Sequence, residues 1–217
     1  TLDRSSAASD VYKRQTQHLL FSATLDGDVQ VLVDKYMRDP VTHSTGEATA
    51  SVDTMNHLLG VVESREERNE LVVAIGKLRQ RTVMFMRTKY AVDRQVKKLV
   101  RAGVPAVGIH GNKGQNSRQS ALDGFTEGKS SVLVATDIAA RGIDVKDVEL
   151  VVHIDPPAEH KAYVHRAGRT ARAGASGTVV TLTFADAQHD TEKMMAKAGV
   201  HPTVLPGAKL IAALRKS

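Results

Sequence analysis

The chain has 217 residues, with 30 lysines and arginines against 24 aspartates and glutamates, a formal charge of +6 and an isoelectric point near 9.6. The absence of cysteine excludes disulfides and thiolate metal sites. No run approaches the roughly 18 apolar residues of a spanning helix or the apolar core of a secretory leader, so a soluble, cytoplasmic protein with no membrane partner is expected. With 41% hydrophobic residues, a core can be buried, and the length suits one ordinary domain with a remainder. The basic balance modestly favours a polyanionic partner.

Residues Thr1 to Gln15 show no hydrophobic period and are set aside from fold reasoning. HLLFSAT reads as a short buried strand over Leu19 to Phe21, and Gly27 to Arg38 places Val29, Leu32, Val33 and Tyr36 at helical spacing. Asp39 and Pro40 stop that helix, and the Thr-, Ser- and Ala-rich stretch from Val41 to Thr54 reads as a linker. Short β-branched runs then alternate with amphipathic helices. The reading is strand Met55 to Val62, helix Arg65 to Leu78, strand Thr82 to Met86, helix Lys89 to Ala102, strand Ala106 to Ile109 and helix Ser117 to Glu127. It continues with strands Val132 to Ala135 and Leu150 to Ile154, helix Glu159 to Arg166, strand Gly177 to Thr183 and helix Ala185 to Ala198. Gly207 to Ser217 reads as a short basic helix or a frayed end. Strands separated by helices of this length imply an α/β fold, a parallel sheet with helices on both faces.

Two glycine-punctuated basic stretches are the most informative strings: ATDIAARGID at Ala135 to Asp144, and HRAGRTARAG at His165 to Gly174. The second sets Arg166, Arg169 and Arg172 three residues apart among small side chains. Their planar forks are suited to converge on a polyanion such as phosphate. His153, His160 and His165 lack the spacing of zinc ligands, so no metal site is expected.

Three further strings complete a series: SAT at Ser22 to Thr24, VMFMRTK at Val83 to Lys89, and HGNKGQNSR at His110 to Arg118. In order and spacing the series resembles the motifs of the C-terminal half of DEAD-box RNA helicases, in superfamily 2. That resemblance implies a RecA-like fold, the second of two such lobes. It divides the chain into a non-family extension at 1–15, a remnant of the first lobe with SAT at 16–42, a linker at 43–54, the helicase C-terminal domain at 55–200 and a basic tail at 201–217.

The resemblance also implies roles. Arg169 and Arg172 match the arginines that reach the γ-phosphate when the lobes close, and Asp144 matches the aspartate that accepts from the nucleotide ribose. Competing readings are weak surface ion pairs for the arginines and a turn cap for the aspartate. Ser22, Ala23, Thr24, Arg141, His165 and Arg166 fall to coupling between lobes, although a histidine such as His165 is as readily structural. RNA contacts fall to Arg87, Thr88, Gly111, Gln115, Arg118, Thr136 and Asp137, while Gln115 and Arg118 also fit an ordinary polar helix start. Such contacts address phosphate and sugar, so binding is expected to tolerate any sequence. One departure is Ala171, where the family pattern usually has glycine.

No G-x-x-x-x-G-K-[ST] loop and no acidic magnesium-binding string precede SAT. The expectation is therefore half of an ATP-dependent RNA helicase and RNA-stimulated ATPase, inactive by itself and monomeric. ATP with Mg2+ would be held mainly by the missing first lobe, and RNA and that lobe would be its partners. A stand-alone nucleic-acid-binding module and a lobe of a DNA translocase stay open as alternatives.

Overall fold

The computed structural model describes residues 18–21, 27–43, 55–78, 80–140, 145, 147–171 and 176–216. The chain divides into two compact units, Thr1–Gly46 and Glu47–Ser217. In the first, helix α1 (Gly27–Tyr36) carries a Gln30 to Asp34 side-chain hydrogen bond of 2.8 Å. It stops before Asp39, whose φ of 45° is left-handed. The buried strand expected at Leu19 to Phe21 is not formed: residues 18–21 have no regular structure and are exposed, Phe21 to 89%. A strand needs a neighbour for its backbone groups, and none pairs with this segment among the described residues.

In the second unit seven strands form one sheet in the order β3-β4-β2-β5-β6-β1-β7, and every pairing is parallel. They are β1 (Met55–Val62), β2 (Thr82–Phe85), β3 (Ala106–Ile109), β4 (Val132–Ala135), β5 (Leu150–His153), β6 (Gly177–Phe184) and β7 (Thr203–Pro206). The helices are α2 (Arg65–Gly76), α3 (Lys89–Arg101), α4 (Gln115–Thr126), the single turn α5 (Asp137–Ala140), α6 (His160–Ala167), α7 (Gln188–Lys197) and α8 (Gly207–Leu214). β2, β4 and β5 are buried at all four positions, as strands covered on both faces must be.

Alternation along the strands divides the core in two. Val83, Phe85, Leu133 and Ala135 face α4 to α7 through Phe125, Tyr163 and Met195. Met84, Met86, Val132 and Val134 face α2, α3 and α8 through Ile75, Leu99, Leu210 and Leu214. Local chemistry sets the helix starts. Ser64 Oγ accepts from Glu67 N at 3.0 Å ahead of α2, and Thr88 Oγ1 accepts from Ala91 N at 3.2 Å ahead of α3.

The structure differs from the sequence reading chiefly at the ends. Residues 185–198 split into a 3-10 turn at Ala185–Ala187 and then α7. Within the segment read as a basic tail, β7 is the departure, extending the sheet beside β1, whereas the short basic helix read at Gly207 to Ser217 is α8, with Leu210 and Leu214 buried. Pro206 ends β7 at the sheet edge, where its missing N–H is tolerated. Of the linker read at 43–54, residues 44–54 lie outside the described residues.

Candidate nucleic-acid interface

Because all strands run the same way, their C-terminal ends share one edge, where helix N-termini and loops present unpaired backbone groups. Neighbouring loops there follow β3, β4, β2, β5 and β6 in turn. This order brings together Gly111 after β3, Thr136 and Asp137 after β4, and Arg87 and Thr88 after β2. Gln115 and Arg118 stand in the first turn of α4, whose N-cap Gly114 makes no side-chain cap bond.

Several side chains fix this edge. Asp155, after β5, accepts from Arg87 N at 3.0 Å and from Arg68 Nη1 at 3.2 Å, tying the β2 loop to α2. His110 Nε2 lies 3.1 Å from both Asp93 carboxylate oxygens, linking the β3 loop to α3. Lys113 Nζ turns back and donates to Gly108 O at 2.6 Å. Arg118 Nη2 donates to Ala139 O at 3.0 Å and so holds α4 against the α5 turn. A cavity of about 530 Å³ opens where the strand order reverses, lined by Arg68, Arg87, Thr88, Asp155, Phe184 and Met194 among others.

The three arginines of HRAGRTARAG do not act alike. Arg166 is 5% exposed and points inward: Nε and Nη2 donate to the two Asp137 carboxylate oxygens at 2.5 and 2.7 Å, and Nη1 donates to Asp155 O at 2.9 Å. Its guanidinium carbon also sits 5.2 Å from the Phe85 ring centroid. A guanidinium this buried requires such partners. The expected convergence of Arg166 with its two neighbours is therefore corrected; it clamps α6 to the start of α5 instead. Arg169 is half-buried and lines a small notch of about 30 Å³ with Asp137, His165 and Phe85, beside the strand-end edge. His165 is exposed.

Beneath the notch lies a polar chain inside the core. His57 Nδ1 is 2.7 Å from Tyr163 Oη, His153 Nδ1 is 3.0 Å from Thr181 Oγ1, and the His153 and Tyr163 rings meet edge to face at 5.0 Å. Burial, then the nearby Arg166 charge and His57, hold His153 well below the usual imidazole range, so it is neutral. Burial pushes the Tyr163 phenol upward.

The loop carrying Arg169 is fixed from behind. Thr170 Oγ1 donates to Val148 O at 2.5 Å, and Ala171 takes φ 53°. That left-handed backbone is one glycine adopts without cost, which explains glycine in the family pattern and makes Ala171 a mildly strained replacement.

Of the sequence-derived site residues, Arg87, Thr88, Gly111, Gln115, Arg118, Thr136 and Asp137 are gathered on one edge, with Arg169 and His165 beside them. Ser22, Ala23, Thr24, Arg141, Asp144 and Arg172 lie outside the described residues. Sequence reasoning did not single out Arg68 or Asp155. Their pairing spans 87 positions, a separation no local spacing can signal. Among the described residues no three carboxylate or imidazole groups converge as a metal site, and no helix is long and apolar enough to cross a membrane.

Residues 66–174 match the family model described as "Helicase conserved C-terminal domain". The chain is 40% identical over 178 residues to the ATP-dependent RNA helicase DBP2 of Candida albicans, covering 80% of this chain and 32% of that protein. It thus spans about a third of the length of that relative. The structure of E. coli DEAD-box protein SrmB bound to RraA superposes with a TM-score of 0.64 at 32% identity, covering 70% of this chain and 89% of that one. S. cerevisiae Dbp5 bound to RNA and ADP BeF3 superposes with a TM-score of 0.80 at 25% identity, covering 99% of this chain and 60% of that one. With its all-parallel sheet and this motif series, the chain belongs to the helicase C-terminal domain family, as the second RecA-like lobe of a DEAD-box RNA helicase.

Proposed function

We propose that this lobe binds the backbone of RNA along its strand-end edge and contributes the arginine half of an ATP site, within an ATP-dependent RNA helicase. The observation that carries the reading is the gathering of Arg87, Thr88, Gly111, Gln115 and Thr136 on three adjacent strand ends, with the Arg169 notch alongside. Backbone N–H groups and short polar side chains at such ends suit phosphate oxygens and carry no base code, so the substrate is RNA of any sequence.

Arg169 and Arg172 complete the pocket when the phosphate-loop lobe closes on this one. Both are required as forks, because developing charge on a transferring phosphoryl group is spread over several oxygens. The donor set here suits an anion: Arg169 stands at an opening, while Arg166, neutralised by its bidentate pair with Asp137, holds the frame of the notch rather than making a contact. Asp144 accepts from the ribose. ATP supplies the free energy that resets the closed lobes, and the Mg2+ ligands in this reading belong to the phosphate-loop lobe. His165 and Arg141, with Ser22, Ala23 and Thr24, couple the lobes, so closure is the switch.

The test joins this chain to a phosphate-loop lobe in one polypeptide and measures RNA-stimulated ATP turnover. Arg169→Ala and Arg172→Ala are each expected to lower kcat by about three to five powers of ten, with little recovery in Arg169→Lys. Unchanged turnover in both alanine variants overturns the arginine assignment.

A further inference from the structure

Helix α3 concentrates the positive charge of the molecule. Its 13 residues hold Lys89, Arg94, Lys97, Lys98 and Arg101 against the single carboxylate of Asp93, a net +4 in a chain whose total is +6. The one carboxylate is turned to His110. The helix buries Val92, Gln95 and Leu99 against the sheet, while Tyr90, Arg94, Lys97 and Arg101 recur every three or four residues on the opposite side, with Lys98 beside them. Tyr90 is 70% exposed and Val100 54%. No acidic side chain pairs with Arg94, Lys97, Lys98 or Arg101 among the described residues. A solvated helix face usually mixes both signs; this one does not.

The position of the stripe indicates its partner. α3 begins at the Thr88 cap, immediately after Arg87 at the strand-end edge, and runs away from that edge for about 20 Å at 1.5 Å per residue. Its cations therefore continue the RNA track down the outer face of the lobe, with Tyr90 at the junction offering a ring on which a base can stack. We propose that α3 is a second RNA surface, which holds the strand beyond the segment gripped at the strand ends and lengthens the site without adding sequence preference. Continuity with the edge favours RNA over an acidic protein segment, and the inference rests on the RNA reading of that edge.

The experiment measures fluorescence anisotropy of labelled oligouridylates of 6 and 20 nucleotides with the full chain at several KCl concentrations. The variants are Arg87→Ala and the fourfold change Arg94→Gln, Lys97→Gln, Lys98→Gln, Arg101→Gln. Glutamine is a strong helix former, so α3 should persist; an unaltered melting temperature checks this. The fourfold variant is expected to bind the hexamer like wild type and the 20-mer at least about tenfold more weakly. Its log K against log salt should be shallower by roughly 2 to 3 units for the 20-mer. Arg94→Lys with Arg101→Lys should stay within about twofold of wild type.

Unchanged 20-mer affinity and slope in the fourfold variant overturn the proposal, as does an equal loss for both lengths. A loss as large toward a poly-glutamate chain as toward RNA also overturns it, because the stripe would then be a general anion surface. The edge reading is scored separately: wild type failing to bind the hexamer, or Arg87→Ala binding it unchanged, counts against that reading and removes the base of this one. Hexamer binding sensitive to Arg87→Ala, with the 20-mer indifferent to α3, removes only this proposal.

Discussion

Removing Asp137 should destabilise this lobe more than removing Arg166, although the two form one ion pair. The pair is bidentate at 2.5 and 2.7 Å, with the Arg166 side chain 5% exposed and the Asp137 side chain 39% exposed. Asp137→Ala leaves a buried guanidinium with two N–H groups unpaired and only the Asp155 carbonyl at 2.9 Å as acceptor. Stranding a charge in the interior costs about 3 to 5 kcal/mol, and water entering past the opened notch lowers this to about 3 kcal/mol. Arg166→Ala instead leaves a carboxylate that water already reaches, and loses the contact with Phe85, for about 2 kcal/mol. At roughly 2 to 4 °C per kcal/mol for a chain of this size, Asp137→Ala should melt about 6 to 12 °C below wild type. Arg166→Ala should fall between it and wild type. In the double variant the second change should add little, giving a coupling of about 2 kcal/mol. Calorimetry and urea unfolding both read this. Asp137→Ala melting within about 1 °C of wild type, or above Arg166→Ala, refutes the argument.

Two further outcomes follow from the packing behind the notch. His153 is buried neutral with its folded pKa well below 6.5, so below pH 6.5 the unfolded chain takes up a proton that the folded chain refuses. Stability is full above that pH and is progressively lost as pH falls below it. Urea midpoints of His153→Leu should lose that share of the pH slope, and an identical slope in the variant would discount the residue. Gly177 opens β6 where an added Cβ would come within 2.3 Å of Thr170 Oγ1 and 2.8 Å of Ala171 N. Gly177→Ala should therefore cost about 1 to 3 kcal/mol and shift the Arg169 loop. Urea unfolding of this variant within a few tenths of a kcal/mol of wild type would show that the loop yields freely.

Much of the fold could be read from local pattern, because most elements here obey the rules of their own period. Buried runs such as TVMF and VLVA became fully covered strands, and the amphipathic runs between them became α2 and α3. Where pattern failed, the missing information was long-range. Leu19 to Phe21 has a strand's composition but no neighbour to pair with among the described residues. TVLP is too short, and ends in proline too soon, to signal β7 before β1 is known to lie beside it. At the site, parallel topology alone brought five loops to one edge, so contacts named by motif met without being designed as a cluster in sequence. What spacing could not distinguish was inward from outward: Arg166 and Arg169 are three residues apart in one basic string, and only the partner Asp137, 29 positions away from Arg166, turns the first inside.

The central claim, that the strand-end edge of this lobe is the surface that meets RNA, is tested most directly by titrating the isotope-labelled chain with hexauridylate and following its backbone amides by NMR. The account predicts concerted shifts at Arg87, Thr88, Gly111, Gln115 and Thr136, the same for a hexamer of another base composition. Shifts confined to the opposite ends of the strands or to β7 and α8, with those five amides unmoved, would contradict it.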